Sequence, residues 1–87
     1  MPDNHDIAAR IMAYLEKRHP RRGVALTEAT DLTEEWLMDS LAMVEIVVFL
    51  EKEFGVSFSA ADMNATAFKN VASLTGLIVS RLAVRES

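Results

Sequence analysis

Ser40 stands in the run Glu34-Glu35-Trp36-Leu37-Met38-Asp39-Ser40-Leu41-Ala42-Met43-Val44-Glu45, between an acidic segment and the start of an apolar helical pattern. A nucleophilic serine needs a base within hydrogen-bond reach, and the two histidines, His5 and His19, sit on or beside the first helical segment. No G-x-S-x-G elbow surrounds Ser40. Self-contained serine catalysis is therefore disfavoured, and the plain local role is a helix cap, with Asp39 offering a second capping carboxylate. Metal chemistry has one weak opening. Asp62-Met63-Asn64-Ala65-Thr66 begins like a calcium loop, but Ala67 stands where the turn glycine belongs and Ser73 where the closing glutamate belongs. No carboxylate pair or histidine cluster is matched to a deep pocket, which argues against an enzyme.

The elements that hold these residues follow from apolar spacing. Ile7, Ala8, Ile11, Met12 and Leu15 recur at three- and four-residue intervals and predict a first helix, capped by Asp3 or Asn4 and ending near His19-Pro20. From Pro20 to about Met38 no period persists, and the segment reads as a long ordered loop with room for one helical turn, pinned by Val24, Leu26, Leu32 and Trp36. A second helix starts at Asp39 or Ser40. Its expected inward stripe is Leu41, Ile46, Val47, Leu50 and Phe54, and Gly55 supplies the left-handed stop. Val56 and Phe58 alternate with Ser57 and Ser59 as a brief extended piece. A short helix is expected over Ala60 to Asn64, and a last one from near Asn70, carrying Val71, Leu74, Leu77, Ile78 and Leu82. The fold class is all-α: a four-helix bundle of three longer helices and one short one, with a long loop between helices one and two.

Composition narrows the function. In 87 residues, of which 51% are apolar, there is room for one domain, 1–87, and the absence of cysteine leaves its stability to helix packing. The first residues lack a secretory signal and no apolar run could span a bilayer, so a cytoplasmic protein is expected. Between Glu28 and Asp62 there are nine carboxylates and a single basic residue, Lys52, a balance that repels nucleic acid. Lys17, Arg18, Arg21 and Arg22 gather at the end of the first helix, where cations suit the helix dipole. Helix two has more apolar residues than one stripe can hold. Met43, Val44, Val48 and Phe49 are left over, so either the helix is buried all round or it exposes an apolar strip flanked by Glu45, Glu51 and Glu53, fit for a basic-rimmed partner.

Together, Asp39-Ser40-Leu41, Val44-Glu45-Ile46-Val47 and Leu50-Glu51-Lys52-Glu53-Phe54-Gly55-Val56 form one continuous pattern, D-S-L-x-x-V-E-I-V-x-x-L-E-K-E-F-G-V. This pattern resembles the acyl carrier protein family, and the likeness extends from the first helix to Phe68, Val71, Leu74 and Ile78. The resemblance implies that Ser40 carries 4'-phosphopantetheine, attached through a phosphodiester by a separate phosphopantetheinyl transferase. The arm's thiol would then hold acyl cargo as a thioester, delivered to acyl-loading ligases or synthases by a carrier that is a monomer and not itself an enzyme. Helix two is the recognition surface in that family. Carried over by position, Asp39 and Leu41 flank the attachment site, and Met43, Val44, Glu45, Val48 and Glu51 are the candidate partner contacts.

This sequence departs from the family pattern in three places. Leu37 replaces the glycine usual three positions before the serine, Ala42 stands where many fatty-acid carriers have an acidic residue, and Lys52 interrupts the acidic face. These departures favour a specialised carrier for a fatty-acid, polyketide or related acyl pathway. Asp39 speaks against a peptidyl carrier, whereas an aminoacyl carrier of the D-alanyl type stays open. A different class of reading, a helical interaction module with no prosthetic group, accounts for the surplus apolar residues on helix two but not for Asp39-Ser40.

Overall fold

The first and last helices begin where a short polar side chain takes up a free backbone N–H. In a computed structural model, which describes residues 3–18, 26–35 and 40–86, the Asp3 carboxylate accepts the Asp6 N–H at 2.8 Å and opens α1, Asn4–Arg18. Ile7, Ala8, Ile11 and Leu15 of α1 are buried, one apolar stripe at helical spacing. The last helix, α4 (Val71–Glu86), starts in the same way, with Asn70 Oδ1 accepting the Ser73 N–H at 2.8 Å. Its inward residues are Val71, Leu74, Ile78 and Leu82, together with Thr75, whose hydroxyl donates to the Val71 carbonyl one turn back at 2.9 Å. That bond satisfies the one buried polar residue among those described.

Residues 28 and 32 are tied by backbone bonds to the start of α4 and the residues just before it. Leu32 N–H donates to the Lys69 carbonyl at 2.7 Å and Ala72 N–H to the Glu28 carbonyl at 3.1 Å. A single helical turn follows, α2 (Leu32–Glu35), with Leu32 fully buried. Thr33 donates to Asp31 Oδ1 from both its N–H, at 3.0 Å, and its hydroxyl, at 2.6 Å, and these bonds hold the Asp31 carboxyl below its ordinary pKa. The anchors Val24 and Trp36, like Pro20, Leu37, Met38 and Asp39, lie outside the described residues.

Helix α3, Ser40–Phe54, buries Ala42, Ile46, Val47, Leu50 and Phe54. Here the expected stripe is corrected: Leu41 points outward and Ala42 takes the inward place. At about 100° per residue, Ala42, Ile46 and Leu50 succeed one another every fourth position on one face, whereas Leu41 shares its face with Val44 and Val48. Gly55 ends the helix at φ 66°, a conformation that suits glycine, and Val56 turns back into the core. The short helix expected over Ala60 to Asn64 is instead a 3-10 turn, Ala60–Asp62. Asn64 accounts for the difference: its side chain donates to the Ala61 carbonyl and accepts the Ala67 N–H, both at 2.9 Å, which closes the turn and bends the chain toward buried Phe68.

Among the described residues the architecture is thus all-helical, with three long helices around one core and no strand. α4 is the central packing partner: α1 lies along it and α3 meets it as well.

Candidate functional site

Ser40 is the first residue of a 15-residue helix whose first turn holds no acidic side chain. The free N–H groups of such a helix end, with its dipole, favour an added negative charge, and no carboxylate in the turn opposes it. The nearest carboxylate further along α3, Glu45, is paired with Arg18 of α1 and so is largely neutralised. The backbone of this turn therefore fits a phosphodiester on the serine. Asp39, expected as its neighbour in the site, lies outside the described residues.

Beyond the serine, α3 exposes apolar side chains in a line. Leu41 is 68% exposed, Val44 52% and Val48 43%, at intervals of three and four residues, so they share one face. The surplus of apolar residues is thereby resolved in favour of an exposed strip. Met43 is half-buried against the core and so stands apart from it, as does half-buried Phe49. Lys52, one turn after Val48, continues the line.

The carboxylates expected to flank this strip are occupied. Glu51 Oε2 accepts the Phe58 N–H at 3.0 Å on one side. On the other side, α1 and α3 run antiparallel and are joined by a ladder of three rungs: Arg10 with Glu53 at 3.1 Å, Tyr14 stacked on Phe49 with centroids 4.1 Å apart, and Arg18 with Glu45. Each rung is four residues from the next on both helices. Arg10 also pairs with Asp6 at 3.1 Å and lies 5.9 Å from the Phe54 ring centre. A groove of about 650 Å³ lies over the stacked rings, lined in addition by Ala13 and Lys17. Arg18 is thus a cross-helix partner as well as a cation in the last turn of α1.

The loop that began like a calcium site is used otherwise. Asp62 Oδ2 accepts the Ser59 N–H at 2.9 Å and Asp62 Oδ1 accepts from Arg81, bonds that hold this carboxyl below its ordinary pKa. Sequence reasoning named neither the ladder nor the Asp62–Arg81 pair, because their partners come from separate helices and carry no local signal.

No helix among the described residues is long and apolar enough to cross a membrane. Residues 9–78 match the family model described as the phosphopantetheine attachment site. No curated protein matches the chain.

Proposed function

The chain belongs to the phosphopantetheine attachment site family, a family of carriers bearing covalent 4'-phosphopantetheine, and from that we propose an acyl carrier protein with Ser40 as the attachment residue. The observation that carries the assignment is the position of Ser40: it opens α3 at a turn without carboxylates, beside the outward line of Leu41, Val44 and Val48.

In this reading Ser40 Oγ attacks the phosphorus of coenzyme A that bears the pantetheine. The P–O bond to the nucleotide phosphate breaks, 3',5'-ADP leaves, and the serine proton goes to a base on the transferase. Of the two histidines, His5 lies on α1 and His19 lies outside the described residues. The helix N-terminus stabilises the phosphodiester charge once formed. When bound, the group supplies the thiol on which acyl cargo is held as a thioester. The chain's own task is presentation: α3 holds the serine in place while Leu41, Val44 and Val48, bordered by Met43, Glu45 and Glu51, face the enzymes that act on it.

We assign the whole chain, 1–87, to one cytoplasmic, monomeric carrier domain built as a four-helix bundle, serving a specialised fatty-acid, polyketide or related pathway. Its partners are a phosphopantetheinyl transferase and acyl-loading ligases or synthases. Asp39, directly before Ser40, favours acyl over peptidyl cargo. The test is intact mass after incubation with coenzyme A, magnesium and a broad-specificity phosphopantetheinyl transferase. A gain of one phosphopantetheine that disappears in Ser40→Ala supports the assignment; a gain that persists in the variant removes Ser40 from it.

A further inference from the structure

We infer that the groove between α1 and α3 is a binding site for a free carboxylic acid with an apolar body, held non-covalently with its carboxylate at Lys17 and Arg18. The binding does not depend on phosphopantetheine attachment, and it uses a different face of α3 from the outward line of Leu41, Val44 and Val48.

The groove has the dimensions of a small-molecule site. Its volume of about 650 Å³ falls inside the range of roughly 300–1,000 Å³ usual for such sites. Its floor is the stacked pair of Tyr14 and Phe49, with centroids 4.1 Å apart, and both rings are only half-buried. The exposed parts of these rings, with Ala13 beside them, form an apolar bed from which a bound body would displace water. Along α1 the groove runs from Arg10 to Arg18, about 12 Å of helix.

Charge sets the sign of the ligand and its orientation. Three lining side chains are cationic, Arg10, Lys17 and Arg18, against one carboxylate, Glu53, in a chain whose net charge is -4. The two ends of the groove differ. At one end Arg10 is committed within the chain, with Nε paired to Asp6 and Nη1 to Glu53. At the other end Lys17 is exposed and forms no ion pair among the described residues, and its neighbours one turn back on α1, Ala13 and Tyr14, carry no charge. Arg18 gives Nη2 to Glu45, which leaves Nε and Nη1 without a hydrogen bond among the described residues. An ammonium and the remaining donors of a guanidinium at the edge of an aromatic floor suit a carboxylate.

Because α1 and α3 are antiparallel, this end of the groove is the one toward Ser40, which stands five residues before Glu45. The bound acid thus points its carboxylate toward the serine end of α3 and its body toward Arg10. A body attached as a thioester has lost that charge and gives Lys17 nothing to meet, so the site selects the free acid over thioester-bound cargo.

The test is an amide-detected nuclear magnetic resonance titration of the full chain with Ser40→Ala, which carries no arm, against naphthoate. Shifts should saturate with a Kd of about 1 mM or tighter, as fits a ligand of this size, and should centre on Ala13, Tyr14, Lys17 and Phe49. Naphthylmethanol, the same body without the charge, should bind about fivefold more weakly, and Lys17→Glu should weaken naphthoate binding by a similar factor. Lys52→Glu, the same change of charge at an exposed lysine outside the groove, should alter the affinity by less than about twofold. Ala13→Trp, which fills the groove from an exposed helix position, should weaken binding by about tenfold or more. The amide spectra report whether each variant stays folded, and the comparison with the alcohol needs no variant. Equal affinity for the alcohol, unchanged binding in Lys17→Glu, shifts centred away from the groove, or no saturation below about 10 mM overturns the inference. The chain bearing naphthoyl on phosphopantetheine should keep the groove amides where the chain with the bare arm has them. Displaced signals there would mean that the groove holds loaded cargo, and the free-acid assignment falls. A chain that accepts no phosphopantetheine yet binds naphthoate ends the carrier reading and keeps this site.

Discussion

Two leucines on one helix test the orientation of α3, on which every functional statement above depends. Leu50 is 0% exposed and Leu41 is 68% exposed, although they lie nine residues apart on the same 15-residue helix. Truncating a fully buried leucine to alanine removes its transfer free energy and leaves a cavity, a cost of about 2–5 kcal/mol. A chain of 87 residues has a total stability of about 4–13 kcal/mol, so Leu50→Ala removes a large fraction of it. Leu41→Ala removes atoms already in water and exchanges one good helix former for another, costing under about 0.5 kcal/mol. Urea titration followed at 222 nm measures both. With a slope of about 1–3 kcal/mol/M, the midpoint should fall by about 1 M or more for Leu50→Ala and by a few tenths for Leu41→Ala. The opposite ordering, or a Leu41→Ala cost above about 1.5 kcal/mol, would mean that α3 is buried on the Leu41 side, and the docking face would be lost with it.

Two further substitutions probe features away from the site. Gly76 lies in the interior of α4, and a Cβ added there meets no atom within 4 Å. Gly76→Ala should therefore stabilise the chain by about 0.5–1 kcal/mol through reduced freedom of the unfolded state, raising the thermal midpoint by several degrees; an unchanged or lower midpoint counts against that helix. Asp62 has its pKa lowered chiefly by the Ser59 N–H and then by Arg81, so its contribution is complete above the unfolded carboxylate range and fades as pH falls through the depressed folded value. Asp62→Asn should accordingly melt lower than the unsubstituted chain at neutral pH, with the two converging in acid once the carboxyl is protonated in both states; a difference that persists there would show that the charge is not its source.

The parts of this fold that were legible in the sequence are those set by neighbours along the chain. Asp3, Asn70 and Gly55 mark helix ends because a cap acts over three or four residues, and the buried faces of α1 and α4 follow from one uninterrupted apolar period each. Helix α3 was harder, because apolar residues surround most of it. Grouping them by type placed Leu41 inward, and only the four-residue succession Ala42, Ile46, Leu50 identifies the buried face. Alanine is a faint hydrophobic signal beside leucine. The intrachain partners of Glu45 and Glu51, Arg18 and the Phe58 N–H, are not legible in the sequence because they become neighbours only after the chain folds.

The ladder between α1 and α3 has a consequence for how this sequence can change over time. Its rungs occupy positions 10, 14 and 18 on one helix and 53, 49 and 45 on the other, so the two segments are read against each other in antiparallel order. As exposed ion pairs the outer rungs add only about 0–1 kcal/mol each, too little to hold the fold, yet like charges facing across a rung would repel. A substitution at Arg18 or Arg10 is thus judged by what stands at Glu45 or Glu53, more than thirty positions away for the outermost pair. Related chains should vary at these sites in matched pairs, with reversal of both charges tolerated and reversal of one disfavoured, a covariation signal that an alignment of descendants can be searched for.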